Sequence, residues 1–132
     1  MPLSQLILVL TQISIVVGDD LPLTLDCAEV VHAEANEELT QYTSKRDPSF
    51  TLTFARDDEI WTMVGNLGSS SIAAVDGIEA VALIEKTPWG NLNITSIEKR
   101  SSDGVFRAVH SRHSIALGQF IPSQFLLNCR GR

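Results

Sequence analysis

A chain of 132 residues, 44% hydrophobic and 20% charged, holds one globular core with no room for a second, and is too apolar to stay unfolded. Its net charge of −6 excludes a nucleic-acid binder as a whole, because neutralising phosphates takes an excess of Lys and Arg. That charge is uneven: residues 19–85 carry fourteen acids against three bases, and residues 86–132 seven bases against two acids. Either the two halves interleave and compensate each other, or the acidic one offers a face to a basic partner.

Leu6 to Val17 is an apolar run of twelve residues. A membrane-spanning helix needs about 20, whereas the apolar region of a signal peptide has this length. Val16, Val17 and Gly18 then offer the small or aliphatic residues a signal peptidase reads, although Met1 to Gln5 contains no Lys or Arg. The expectation is therefore a signal peptide over 1–18 and a single β domain over 19–132, periplasmic or secreted, with no integral membrane segment after processing. A rival reading uses the alternation of Ile7, Val9, Ile13, Ile15 and Val17 to make an uncleaved first strand that turns at Gly18-Asp19-Asp20.

Leu21, Leu23, Leu25 and Cys27 alternate, which predicts a strand with Pro22 at its start or edge. The strand continues to about Ala33. Beyond it Val31, Ala35, Leu39 and Tyr42 follow helical spacing, so one short helix over 33–42 or an acidic loop is the next expectation, closed by Lys45-Arg46-Asp47-Pro48. Phe50, Leu52 and Phe54 alternate with threonines, Arg56 to Asp58 turns the chain, and Glu59 to Val64 returns it. After a loop over Gly65 to Ser71, two apolar runs meet across Asp76-Gly77, the dipeptide that tolerates the positive φ of a two-residue type I′ turn. Thr87-Pro88-Trp89-Gly90 predicts a turn, Leu92 to Ile97 a strand, and Asp103-Gly104 a second hairpin leading into the closing stretch Gly104 to Cys129. About eight short strands separated by turns predict a mainly β fold, a small antiparallel barrel or sandwich.

Cys27 and Cys129, the only cysteines, stand near the two ends of the mature domain. A bridge between them would enclose most of it, and export would place it in a compartment where disulfides persist.

Chemistry is harder to find. In a regular strand residues three apart face opposite ways, so His110 and His113 would not share a metal ion without a bulge, and a zinc site with His32 has no supporting Cys-x-x-Cys pair. Ser111, Asp103 and either histidine supply the residue types of a nucleophilic triad without any surrounding elbow motif. Asp57, Asp58 and Glu59 lack the alternate spacing of a calcium loop. There is no Gly-rich phosphate loop, and no cofactor is expected. Asn93-Ile94-Thr95 matches a glycosylation acceptor inside a predicted strand, and Trp61 and Trp89 are expected in the core or covering a hairpin end.

What stands out is a cationic cluster in an acidic protein. In strand register Arg107, Val109, Ser111 and His113 share one face, and Phe106, Ala108, His110 and Arg112 the other. A break near Ser111-Arg112 would set Ser111 to Ser114 at a sheet rim, with Ser123 and Gln124 as neighbours from the next strand. Arginine offers a permanent fork for carboxylate or phosphate, and histidine a donor whose charge changes near neutral pH. The functional expectation is a small exported, non-enzymatic binding module on a disulfide-closed β scaffold. Its binding residues are Arg107, His110, Ser111, Arg112, His113, Ser123 and Gln124, and its partner is a protein or a small anionic ligand. The alternative is a small hydrolase-like enzyme built on His110 or His113 with a serine or a carboxylate.

Overall fold

Side chains that alternate between apolar and polar put one face of every long strand into a common interior. In the computed structural model, which describes residues 21–35, 41–44, 49–65 and 68–132, that alternation builds an antiparallel barrel. The strands in chain order are β1 (Thr24–Ala35), β2 (Gln41–Ser44), β3 (Thr51–Asp57), β4 (Ile60–Gly65), β5 (Gly68–Asp76) and β6 (Ala80–Lys86). They continue as β7 (Leu92–Glu98), β8 (Val105–Arg112), β9 (Ile115–Ala116), β10 (Gln119–Phe120) and β11 (Ser123–Gly131). Neighbours pair in the order β1-β3-β4-β5-β6-β7-β8-β11, and β11 pairs back onto β1, so eight strands close on themselves. Closure removes the sheet edges that would otherwise pair with other chains.

One wall of the barrel is shared. β1 meets β11 along one side, while its other side pairs with β3 over Thr24 to Ala28 and with the extra strand β2 over His32 to Ala35. Val30 is a bulge in β1: the register against β11 shifts between Glu29 and Val31. An inserted residue restores the inward facing of every second side chain one step later, so Glu29 and His32, three apart, both point into the barrel. Both are buried.

The interior is apolar over most of its height. Leu25, Phe54, Leu83, Ile97, Phe125 and Leu127 are its most enclosed hydrophobic side chains, and Trp61, Met63 and Phe106 pack around them. Cys27 and Cys129 face each other directly across the β1–β11 seam, with Cα atoms 4.0 Å apart, and form the disulfide over a separation of 102 residues. Both half-cystines are buried. A buried disulfide of this kind suits an oxidising environment. No helix among the described residues is long and apolar enough to cross a membrane.

Several sequence expectations change. Residues 33–35 belong to β1 and 41–42 to β2, so there is no helix there among the described residues; ladder pairing of β1 with β2 and β11 overrides the helical spacing. Positions 36–40 lie outside the described residues, as does the segment 1–20 on which the signal-peptide and first-strand readings rest. The expected loop over 65–71 is mostly strand, since β5 begins at Gly68. Asp76-Gly77 is not a two-residue turn: the connection runs through Gly77, Ile78 and Glu79, and Gly77 N–H donates to the Ala80 carbonyl at 2.9 Å. Leu23 is exposed, because regular pairing starts only at Thr24.

Asp103-Gly104 does form the anticipated tight turn, with φ of 53° and 75° and reciprocal backbone bonds between Ser102 and Val105. A matching turn at Leu117-Gly118, with φ of 52° and 77°, joins β9 to β10. The sequence concealed it, because a leucine in the left-handed region is disfavoured by its own Cβ.

Candidate functional site

The barrel end where β1 and β8 finish and β11 begins carries the cationic cluster. Ser123 pairs with Arg112 and Gln124 with Ser111 across the β8–β11 ladder, while Glu34 of β1 pairs with Ser123 from the other side. The β9–β10 hairpin folds over the same end. Asn91 holds it by both amide atoms: Nδ2 donates to the Ile115 carbonyl at 3.0 Å, and Oδ1 accepts from Ile115 N–H at 3.1 Å.

Between these elements lies an open groove of about 640 Å³, lined by Ala33, Glu34, Ala35, Ser111, Arg112, His113, Ile115, Phe120, Pro122, Ser123 and Gln124. Five of the seven residues singled out from the sequence, Ser111, Arg112, His113, Ser123 and Gln124, therefore meet in one concavity. Gln124 Nε2 donates to Ser111 Oγ at 3.2 Å, tying the two strands together at its wall. Arg112 is the base of the cluster. Its guanidinium carbon lies 4.6 Å from the Phe50 ring centre and 5.1 Å from that of Phe125, a seat that combines cation–π attraction with apolar contact.

The other two residues stand elsewhere. Arg107, five residues back along β8, is exposed on the outside of the barrel, where Nε and Nη2 donate to the two carboxylate oxygens of Glu98 at 2.8 and 2.9 Å. That fork holds the Glu98 carboxyl below its usual value and raises the Arg107 guanidinium. His110 is buried at 1% exposure and does not line the groove. Arg112 Nε can only donate, so at 3.5 Å His110 Nε2 accepts, and Nδ1–H donates to Thr95 Oγ1 at 2.7 Å. Burial first, then the positive charge of Arg112, push His110 down to about 4, against an opposing pull from Glu85, so the ring is neutral at pH 7. Its nitrogens meet a threonine and an arginine rather than a serine or a carboxylate.

A second polar cluster was not foreseen. Glu29 Oε1 lies 2.5 Å from His32 Nδ1, and Glu29 Oε2 accepts the Phe50 N–H at 2.9 Å. On the other side of the ring, Ser44 Oγ is 3.0 Å from Nε2, and Glu34 Oε1 is 3.7 Å from it. The His32 ring stacks on Phe125 at 5.3 Å. In the sequence His32 was no more than a third histidine for zinc; the signal that could have found the cluster is Glu29-Val30-Val31-His32, a three-residue spacing that becomes one face if the valine pair bulges. Among the described residues no group of three or more His, Cys, Asp or Glu side chains could hold a metal ion.

Trp61 is in the core, and Trp89 is 71% exposed in the loop between β6 and β7. The glycosylation acceptor is folded into β7, where Asn93 Nδ2 donates to Glu85 at 2.6 Å and Thr95 is buried against His110. Charge complementarity between the chain halves is partly realised, through Lys99 with Asp76 and Arg132 with Asp26. Comparison with protein-family models, curated proteins and solved structures returned no match.

Proposed function

We propose that the protein is an exported binding module, periplasmic or secreted, that takes a carboxylate- or phosphate-bearing ligand in the groove at the β8–β11 end of the barrel. The observation that carries this reading is the convergence of Arg112, His113, Ser111, Ser123 and Gln124 on one groove from two strands and a loop. Arg112 provides the permanent charge, and the rings of Phe50 and Phe125 hold it in position, so little side-chain entropy is lost when an anion arrives. His113 is exposed beside it, and the hydroxyls of Ser111 and Ser123 with the amide of Gln124 complete the donor set. Glu34 on the opposite wall repels a second negative charge and favours ligands with one localised anionic group. Ile115 and Phe120 give the rest of the ligand an apolar surface. Export matches the disulfide, which an oxidising compartment maintains.

Titration calorimetry with a short glutamate-terminated peptide and with inorganic phosphate tests the reading. Binding should weaken at least ~10-fold in Arg112→Ala with His113→Ala, since a hydrogen bond to a charged group is worth about 1.5–3 kcal/mol, and it should weaken with added salt. An affinity that the double change leaves unaltered refutes the groove as the site.

A further inference from the structure

A serine, a histidine and a glutamate stand in line on the barrel wall, graded from solvent to core. Ser44 is exposed, the His32 side chain is 3% exposed, and that of Glu29 is fully buried. Four features produce this line. The Val30 bulge turns Glu29 and His32 to the same face. The β1–β2 ladder pairs His32 with Ser44, placing their side chains next to each other. The Phe50 N–H, donated to Glu29 Oε2, fixes the carboxylate so that its other oxygen meets His32 Nδ1. Stacking on Phe125 sets the plane of the imidazole and aims Nε2 at Ser44 Oγ, 3.0 Å away. Bulges are over-represented beside active sites because they re-aim a side chain in this way.

We propose that Ser44 is a nucleophile activated by His32, with Glu29 as the positioning carboxylate, and that it undergoes acyl transfer with small, uncharged esters. The relay has the order a serine nucleophile requires: the hydroxyl on one ring nitrogen and a buried carboxylate on the other. As Ser44 Oγ bonds to the ester carbonyl carbon, its proton passes to His32 Nε2. The bond from that carbon to the alkoxy oxygen then breaks, and the alcohol leaves with the proton. Water attacks the acyl-serine in the reverse sense, giving the carboxylic acid and restoring Ser44. The imidazolium formed on the way lies between Glu29 and Glu34, whose negative charges stabilise it. The same two carboxylates repel an anionic acyl group, which selects neutral esters. This site shares Glu34, Phe50 and Phe125 with the groove but none of its donors, so Ser44→Ala and Arg112→Ala test the two separately.

The test is covalent labelling of the intact, disulfide-bonded protein with diisopropyl fluorophosphate, read by intact mass and peptide mapping. The Ser44 Oγ–P bond forms as the P–F bond breaks, fluoride leaves, and the serine proton passes to His32. We expect one phosphoryl group per chain, on Ser44, absent from Ser44→Ala. The labelling rate should fall at least ~100-fold in His32→Gln, the scale of a general base's contribution. With p-nitrophenyl acetate, wild type should release a burst of up to one equivalent of nitrophenol that Ser44→Ala lacks. Absence of label on Ser44 in folded wild type, or label on Ser44 at the same rate in His32→Gln, overturns the proposal, and so does a label confined to any other residue. Ser44 is exposed and its hydroxyl bonds to His32 Nε2, so urea denaturation of Ser44→Ala beside wild type separates lost chemistry from lost stability.

Discussion

Acid should destabilise this barrel in a way traceable to one side chain. His110 is enclosed among Thr95, Phe50, Phe125 and Arg112, and it is kept neutral there, with its pKa lowered from 6.5 to about 4. A group whose folded pKa lies below its unfolded value contributes stability that is fully present above the unfolded pKa and disappears as pH falls toward the folded one. Between pH 6.5 and 4 the unfolded chain binds a proton at this position that the folded barrel refuses. The corresponding loss is about 3 kcal/mol, a large share of a small domain's stability. Urea denaturation at intervals from pH 7 to pH 4 measures it, and His110→Gln supplies the control. The amide can still bond to Thr95 and carries no titrating ring, so the variant starts less stable but should lose about 3 kcal/mol less over the same interval. Taking the difference between the two proteins cancels every carboxylate that titrates in both. Equal pH slopes for wild type and variant would refute a neutral, enclosed His110.

Replacing Cys27 and Cys129 together by alanine should lower stability by about 4–5 kcal/mol in the chain-entropy model for a loop closed over 102 residues, measured by denaturation of oxidised protein against the variant. Leu117 sits at φ 52° with 89% of its surface exposed, so Leu117→Asn or Leu117→Gly should raise stability by about 0.5–1 kcal/mol; a loss would mean that the leucine contributes contacts the turn needs. The Asp26 carboxyl is held below its ordinary range, first by the hydrogen bond from Arg132 and then by that from Thr53, and the contribution disappears as pH falls through the lowered value. Because the Arg132–Asp26 pair is largely exposed, Arg132→Ala should cost less than about 1 kcal/mol, and less still in high salt.

The barrel was legible because its signals are local. Period-two alternation at Phe50, Leu52 and Phe54, the turns at Asp103-Gly104 and Thr87 to Gly90, and cysteines at both ends of the domain each act through their own few residues. The rim was readable for the same reason: a polar Ser-Arg-His-Ser run between two apolar strands has to leave the core, and β8 ends at Arg112. His110 is less legible, because an odd polar residue on an apolar face does not reveal its partners, and Thr95 comes from a strand fifteen residues earlier. Arg107 shares a strand face with Ser111 and His113 in the sequence, but its place five residues back along β8 gives it to Glu98. The Glu29–His32–Ser44 line shows in the sequence only as the Glu-Val-Val-His spacing, which becomes one face through the Val30 bulge, and that bulge depends on how β11 docks against β1. Leucine at a left-handed position likewise defeats any rule based on turn-forming residues.

Anion recognition at the β8–β11 rim can be followed residue by residue through backbone amide shifts. Titrating ¹⁵N-labelled protein with the glutamate-terminated peptide should move the amides of Ser111, Arg112, His113, Ser123 and Gln124 together along one saturating curve, and the same curve should be lost in Arg112→Ala. Shifts that are absent, that fail to saturate, or that cluster on the acidic strands of the N-terminal half would contradict it.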